Sequence, residues 1–173
     1  HGSRTEDVMP ETPHPIPYQG SKRKLAPIIL DYVPENTGTL IEPFCGSAAV
    51  SLAAARMSKA ERFAINDSFP PLSQLWTRII SDPEGVSRDY ERLWLAQQDD
   101  PRGYYDWVRE AFNCDKDPSK LLFLLARCVK NAVRFNSAGE FNQSPDKRRL
   151  GTRPERMRRS ILGASRLFRR RCV

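Results

Sequence analysis

Residues 39–67 constrain the fold more than any other stretch of this chain. Residues 39–44 (TLIEPF) form a short apolar run that stops at Cys45-Gly46-Ser47. Residues 48–57 (AAVSLAAARM) follow with small side chains suited to a tightly packed helix, and residues 62–66 (RFAIN) form a second apolar run that ends at Asp67. Strand, glycine-containing turn, helix, strand, acid is the order of a βαβ unit, in which the two strands must lie parallel. Phe69-Pro70-Pro71 then opens a further helix through Leu72, Leu75, Trp76, Ile79 and Ile80, with proline in the first turn, where its missing N–H costs nothing. The expected fold class is therefore α/β, with residues 39–44 as a buried strand.

On the N-terminal side, residues 1–3 resemble a tag remnant, and residues 4–17 carry Pro10, Pro13, Pro15 and Pro17 among polar neighbours, which predicts an extended or disordered arm. Leu25, Ile28, Ile29, Tyr32 and Val33 then have helical spacing, with Ser21 as a possible cap and Pro34 as the stop. Beyond residue 82 the pattern is helical. Segments 86–94 and 104–112 are separated by prolines, and Ser119 stands before a long apolar helix at 120–133. Arg127, Lys130, Asn131 and Arg134 would share one face of that helix and its continuation, either as a satisfied core network or as a ligand-facing surface. Residues 135–150 form a loop rich in Asn, Ser and Gly, and a last helix at 153–169 alternates apolar residues with arginine. Cys172-Val173 falls where another strand is expected. The resulting division is 1–15 as tag remnant and disordered arm, 16–81 around the βαβ unit, 82–152 helical, and 153–173 returning to the first part.

Composition narrows the functional classes. With 173 residues the chain suits one domain, and it has no run near the ~20 apolar residues of a membrane span. Cys45, Cys114, Cys128 and Cys172 form no C-x-x-C pair and only two histidines are present, so no metal site is expected, and reduced thiols fit a cytoplasmic protein. Charge is uneven. Residues 147–173 carry eleven basic side chains and the single acid Glu155, giving +10, whereas the other 146 residues sum to −3. Ten of those eleven are arginine, whose planar fork suits phosphate, so the tail reads as a polyanion footprint or, more plainly, as a solvated helix face.

The turn at 45–47 is neither a G-x-G-x-x-G fingerprint nor a P-loop, but a glycine turn that opens a helix suits a nucleotide-like ligand, and Asp67 at the next strand end can accept from a ribose hydroxyl pair. Four segments in order carry a resemblance that reaches from about Ile16 to the end. They are Pro17-Tyr18-Gln19-Gly20-Ser21-Lys22, Glu42-Pro43-Phe44-Cys45-Gly46-Ser47, Ile65-Asn66-Asp67, and Arg134-Phe135-Asn136 with Gly139-Glu140-Phe141-Asn142. Together they resemble the Dam-like DNA adenine-N6 methyltransferases. Ala48 stands where the second motif has its last glycine. The resemblance implies a Rossmann-like methyltransferase sheet, incomplete in this chain, with a mostly helical target-recognition insertion at 82–152. It also implies S-adenosylmethionine as cofactor, duplex DNA as substrate and a restriction-modification setting. By the same resemblance the cofactor residues are Tyr18, Lys22, Glu42, Phe44, Gly46 and Asp67. The DNA-facing residues are Lys130, Asn131, Arg134, Asn136, Phe141 and Asn142, with Lys147, Arg148 and Arg149 as phosphate contacts; a loop bonded to itself is the alternative for Arg134, Asn136, Phe141 and Asn142.

The family's catalytic D-P-P-Y tetrapeptide, expected after the recognition region, is absent, so no catalytic residue is assigned in this chain. A complementary polypeptide that carries D-P-P-Y, a truncated chain, and a non-catalytic DNA-binding module each account for that, and an RNA-directed methyltransferase is the remaining rival.

Overall fold

In a computed structural model of the chain, residues 11–172 are described; residues 1–3, expected to be a tag remnant, arm residues 4–10 and Val173 lie outside them. Strands β1 (Thr37–Glu42) and β2 (Ala60–Ile65) pair in parallel, with Leu40 opposite Phe63 and Glu42 opposite Ile65. Helix α2 (Ala49–Arg56) makes the crossover and packs on both strands, as the small side chains of 48–57 require. Each strand begins two residues before its apolar run, because Thr37 pairs with Ala60, which is buried, at the start of the ladder.

The expectation of a buried strand is corrected. Leu40 and Glu42 turn toward α2, whereas Thr39 and Ile41 point away and Ile41 is 69% exposed. Among the described residues β1 has one neighbour, and the other edge of β2 is met by a single parallel bridge from Phe63 to Cys172, where the Phe63 N–H donates to the Arg171 carbonyl at 2.8 Å.

Helix α1 (Ala26–Asp31) follows a 3-10 turn at Lys22–Lys24, and Ser21 does not cap it. Then come α3 (Pro70–Ser81), α4 (Pro83–Ala96), α5 (Pro101–Asp115), α6 (Pro118–Arg127) and α7 (Pro154–Phe168). Each of these five opens on proline, and α4, α5 and α6 are capped by Asp82, Asp100 and Asp117, whose carboxylates accept from the N–H of Gly85, Gly103 and Ser119. The cap at Asp82 requires Gly85, since a Cβ there would fall 1.9 Å from the carboxylate. Trp76, Tyr90, Tyr105, Phe112, Phe123 and Phe168 fill a core shared by the helices, and α7 contributes Met157, Ile161, Ala164 and Phe168 from one face.

Two further readings change. Residues 11–17 are not loose: Ile16 is buried in the core, the Thr12 hydroxyl accepts from Arg56 at 3.0 Å, and Pro13 lies against Gly163. The helix expected over 120–133 stops at Arg127. Cys128 is extended, and Lys130 and Asn131 have φ of 59° and 52°. Residues 144–146 take over the backbone pairing that a continued helix would have made, with Asp146 N–H donating to Arg127 O and Val129 N–H to Ser144 O. The common face of Arg127, Lys130, Asn131 and Arg134 therefore does not form.

Candidate functional site

The carboxyl ends of the two strands meet at one corner. Cys45 N–H donates to Asn66 O at 2.8 Å, and one residue on, Gly46 N–H donates to Asp67 Oδ2 at 3.0 Å. Asp67 Oδ1 accepts from Phe69 N–H at 3.1 Å, so one carboxylate fixes both the turn after β1 and the entry to α3. Gly46 has φ of +49°, and a Cβ there would approach the Tyr18 ring at 3.1 Å, so the aromatic lies directly on the turn. From below, Trp76 Nε1 donates to Gly46 O at 2.9 Å. The hydroxyls of Ser21 and Ser47 are 2.7 Å apart, which ties residues 17–22 to the same corner.

Tyr18, Gly46 and Asp67 are thus brought together. Lys22 is exposed and its ammonium donates to Gly20 O at 2.8 Å. Glu42 faces the other way: its Oε2 accepts from Ser51 N–H and Oγ at 3.1 and 2.5 Å, joining β1 to α2. Burial raises the Glu42 carboxyl above its usual range, and the Ser51 bonds work against that. Phe44 is 78% exposed beside the turn. Burial, helped by the Asp67 charge, raises the Tyr18 phenol, and the same two causes push the Cys45 thiol up to about 12, so that thiol stays protonated.

Residues 134–142 form a hairpin. Phe135 and Phe141 bridge antiparallel, Asn142 N–H donates to Arg134 O, and Asn136 N–H donates to Glu140 O. Asn136 holds its own turn, with Oδ1 accepting from Ala138 and Glu140 N–H and Nδ2 donating to Glu140. Phe141 is 1% exposed and packs edge-on against Phe112 and Phe135, leaving no ring face for a base; Phe135, at 44%, keeps one. Arg134 and Asn142 are exposed on the hairpin, and Lys130 and Lys147 are exposed on either side of it in sequence. Asn131 Nδ2 donates to Leu125 O at 2.7 Å, closing the end of α6. Asp146, which immediately precedes the basic run, pairs with both Arg148 and Arg149 at 3.2 and 3.3 Å and lowers the local charge. Arg127 is a core residue: its guanidinium is buried and donates to the carbonyls of Asp146, Arg149 and Pro101.

Residues 18–161 match the sequence profile of the D12 class N6 adenine-specific DNA methyltransferases. The chain belongs to that family. It is 31% identical over 131 residues to a DNA adenine methylase of Haemophilus influenzae, covering 73% of this chain and 44% of that protein. It is 25% identical over 130 residues to the type II methyltransferase M.CviBI of Paramecium bursaria Chlorella virus NC1A, covering 73% and 47%. The chain therefore spans less than half the length of these relatives.

Within this D12-class chain, three positions given no site role from the sequence support the site. Ser47 and Trp76 fix the turn, and Asn113 on α5 clasps the hairpin, accepting from Phe141 N–H and donating to Phe141 O at 2.8 and 3.0 Å. A polar Asn one residue after Phe112 carries no signal of a partner 28 positions away; only the tertiary fold reveals it. No helix among the described residues is long and apolar enough to cross a membrane.

Proposed function

We propose that this chain forms the cofactor-binding and DNA-reading part of an enzyme that methylates adenine N6 in duplex DNA, with S-adenosylmethionine as donor. The observation that carries the reading is the Asp67 carboxylate bonded to Gly46 N–H across two parallel strand ends. Each Asp67 oxygen uses one lone pair on a backbone N–H, and each has another for a ribose hydroxyl. Tyr18 and Phe44 offer ring surface for the cofactor, and the Ser21–Ser47 pair offers hydroxyls beside Lys22, so the donor set fits the group. When bound, the cofactor supplies an electrophilic methyl group. Residues 16–81 then hold it, 82–152 read the duplex through Lys130, Arg134 and Asn142, with Asn136 and Asn131 shaping the hairpin and the end of α6 that present them, and 153–173 return to a Rossmann-like sheet.

The adenine amine is a weak nucleophile because its lone pair is delocalised into the ring. Transfer needs acceptors for its hydrogens and a base held in the attacking geometry, which is the part a D-P-P-Y segment plays in the family. That tetrapeptide is not in these 173 residues, and we propose that a segment outside them brings it. Two features support a partner at β1: its edge, unpaired among the described residues, and the exposed apolar side chains of Ile41 on the strand and Phe44 just after it. Transfer of radiolabelled methyl groups to duplex DNA, assayed for the chain alone and with a polypeptide bearing D-P-P-Y, tests the reading. Activity only in the mixture is expected. Turnover by the chain alone would refute the need for a partner, and labelling of RNA but not DNA would refute the substrate.

A further inference from the structure

From Tyr18 and Ser21 at the cofactor corner, two adjoining cavities of about 620 and 580 Å³ run along the N-terminal half of α7. They share Pro17, Asn131, Thr152, Arg156 and Arg159, so they form one continuous groove. Its first part is walled by residues 11–18 and reaches Tyr18 and Ser21; its second part is walled by the segment 149–153. The sequence dictates which side chains line it. Met157, Ile161, Ala164 and Phe168 turn one face of α7 into the core, which leaves Arg156 and Arg159, one helical turn apart, on the groove side with Arg153 at the N-cap.

These three arginines differ from the others nearby. Arg23 pairs with Glu11, Arg149 with Asp146 and Arg158 with Glu84, whereas Arg153, Arg156 and Arg159 have no ion pair or side-chain hydrogen bond among the described residues. Glu155 is the one acid lining the second cavity. His14 Nδ1, also in the groove wall, is buried without a hydrogen-bond partner among the described residues. A trough open to solvent, with fixed walls and unneutralised guanidinium groups in a row, suits a linear polyanion better than a compact ligand. From Arg153 to Arg159 the helix rises roughly 9 Å, which at about 3.4 Å of duplex axis per nucleotide corresponds to two or three nucleotide steps.

We infer that the α7 groove is a phosphodiester track for the DNA strand, in which Arg153, Arg156 and Arg159 each neutralise one backbone phosphate. The inference rests on the DNA-substrate reading above and adds a contact surface apart from the hairpin, joined at Arg149 to the basic run 147–149. Through Tyr18, the track ends beside the turn that holds the cofactor corner, so a strand seated in it is delivered toward the proposed methyl donor. Phosphate contacts carry no sequence information, so the track sets register and affinity and leaves base choice to the hairpin.

The salt dependence of duplex binding tests this. By counterion release, each phosphate contact contributes a slope of about −0.9 in log K against log salt, or roughly tenfold in affinity at 0.1 M salt. Arg156→Gln with Arg159→Gln should shallow the slope by about 1.8 and weaken cognate and scrambled duplexes alike by roughly a hundredfold. Arg158→Gln removes the same charge from the same helix but from the Glu84 side, and should leave the slope unchanged. Arg156→Lys with Arg159→Lys should restore the slope. Equal slopes for the glutamine pair and wild type, with wild-type binding intact, would overturn the track and spare the DNA reading; a wild-type chain that binds no duplex would overturn both. A glutamine pair that altered base preference would also overturn the track.

Discussion

Asp67 offers the sharpest perturbation, because one carboxylate is asked to do two separable jobs. Structurally, its oxygens accept from Gly46 N–H at 3.0 Å and Phe69 N–H at 3.1 Å. A hydrogen bond to a charged group contributes about 1.5–3 kcal/mol, and Asp67 is only half-buried, so the lower end applies. Asp67→Ala removes both, a loss of about 3 kcal/mol, which in a chain of this size lowers Tm by roughly 6–12 °C. Functionally, the same substitution removes the acceptors for a ribose diol and should abolish S-adenosylmethionine binding in calorimetric titration of the completed enzyme, while duplex binding persists. Ser73→Ala separates the two effects. The Ser73 hydroxyl accepts from Asp67 N–H at 3.0 Å, so its loss costs about 1 kcal/mol at the same loop without touching the carboxylate, and cofactor affinity should change less than about threefold. Normal cofactor binding by Asp67→Ala would refute the site. A Tm within 1 °C of wild type would refute the structural part of the reasoning.

Burial raises Cys45 to about 12 and Cys128 to about 11, while Cys114 is exposed; iodoacetamide at neutral pH should label Cys114 well before either, as read by peptide mass spectrometry. The side-chain and backbone bonds of Arg148 hold the Asp146 carboxyl at about 2. A depressed carboxylate stabilises the fold above its unfolded value and loses that contribution as pH falls through the folded one, so the Tm gap between wild type and Asp146→Asn should be full at pH 7 and close between about 4 and about 2. Burial and Arg23 lower His14 to about 4, which disfavours its charged form in the fold. Wild type should therefore lose stability as pH falls from about 6.5 to about 4, and His14→Gln should remove that part of the pH–Tm curve. Arg127→Met leaves three carbonyls without their donor and should cost about 2–4 kcal/mol, with faster hydrogen exchange across residues 146–149.

The elements were legible where one local signal sufficed. Apolar runs bounded by turns revealed both strands, and small residues revealed α2. The helices start at 83, 101 and 118, ahead of their apolar periodicity, because a proline between apolar runs looks like a separator whereas Asp-Pro is a cap followed by a first turn: Asp82-Pro83 and Asp100-Pro101 each place a carboxylate under a glycine N–H. The end of α6 was not legible, because apolar periodicity continues past Arg127 and the chain leaves the helix only to pair with residues 144–146. At the site, Gly46 and Asp67 were visible as strand-end residues, but Glu42 was not distinguishable from them until Ser51 claimed its carboxylate. For Asn136 the self-bonded alternative is the one that forms, whereas Phe141 is buried by a clasp from α5 of which a Phe-Asn loop carries no mark.

The residue that departs from the family motif shows how the turn tolerates change. Ala48 sits where the resemblance calls for glycine, and its φ of +48° with ψ of +35° is the left-handed conformation glycine adopts freely. For alanine that conformation costs roughly 1–2 kcal/mol. Against it, the methyl is fully buried, contributing about 0.8 kcal/mol, and alanine loses about 0.4–1 kcal/mol less unfolded-state entropy than glycine. The two sides nearly cancel, so alanine holds this position at almost no net cost to the fold. Gly46, two residues earlier, has no such latitude. Its φ is also positive, but a methyl there would press on the Tyr18 ring at 3.1 Å instead of filling the core. Of the two glycine positions in the motif, the one retained is the one against which the aromatic of the first motif packs.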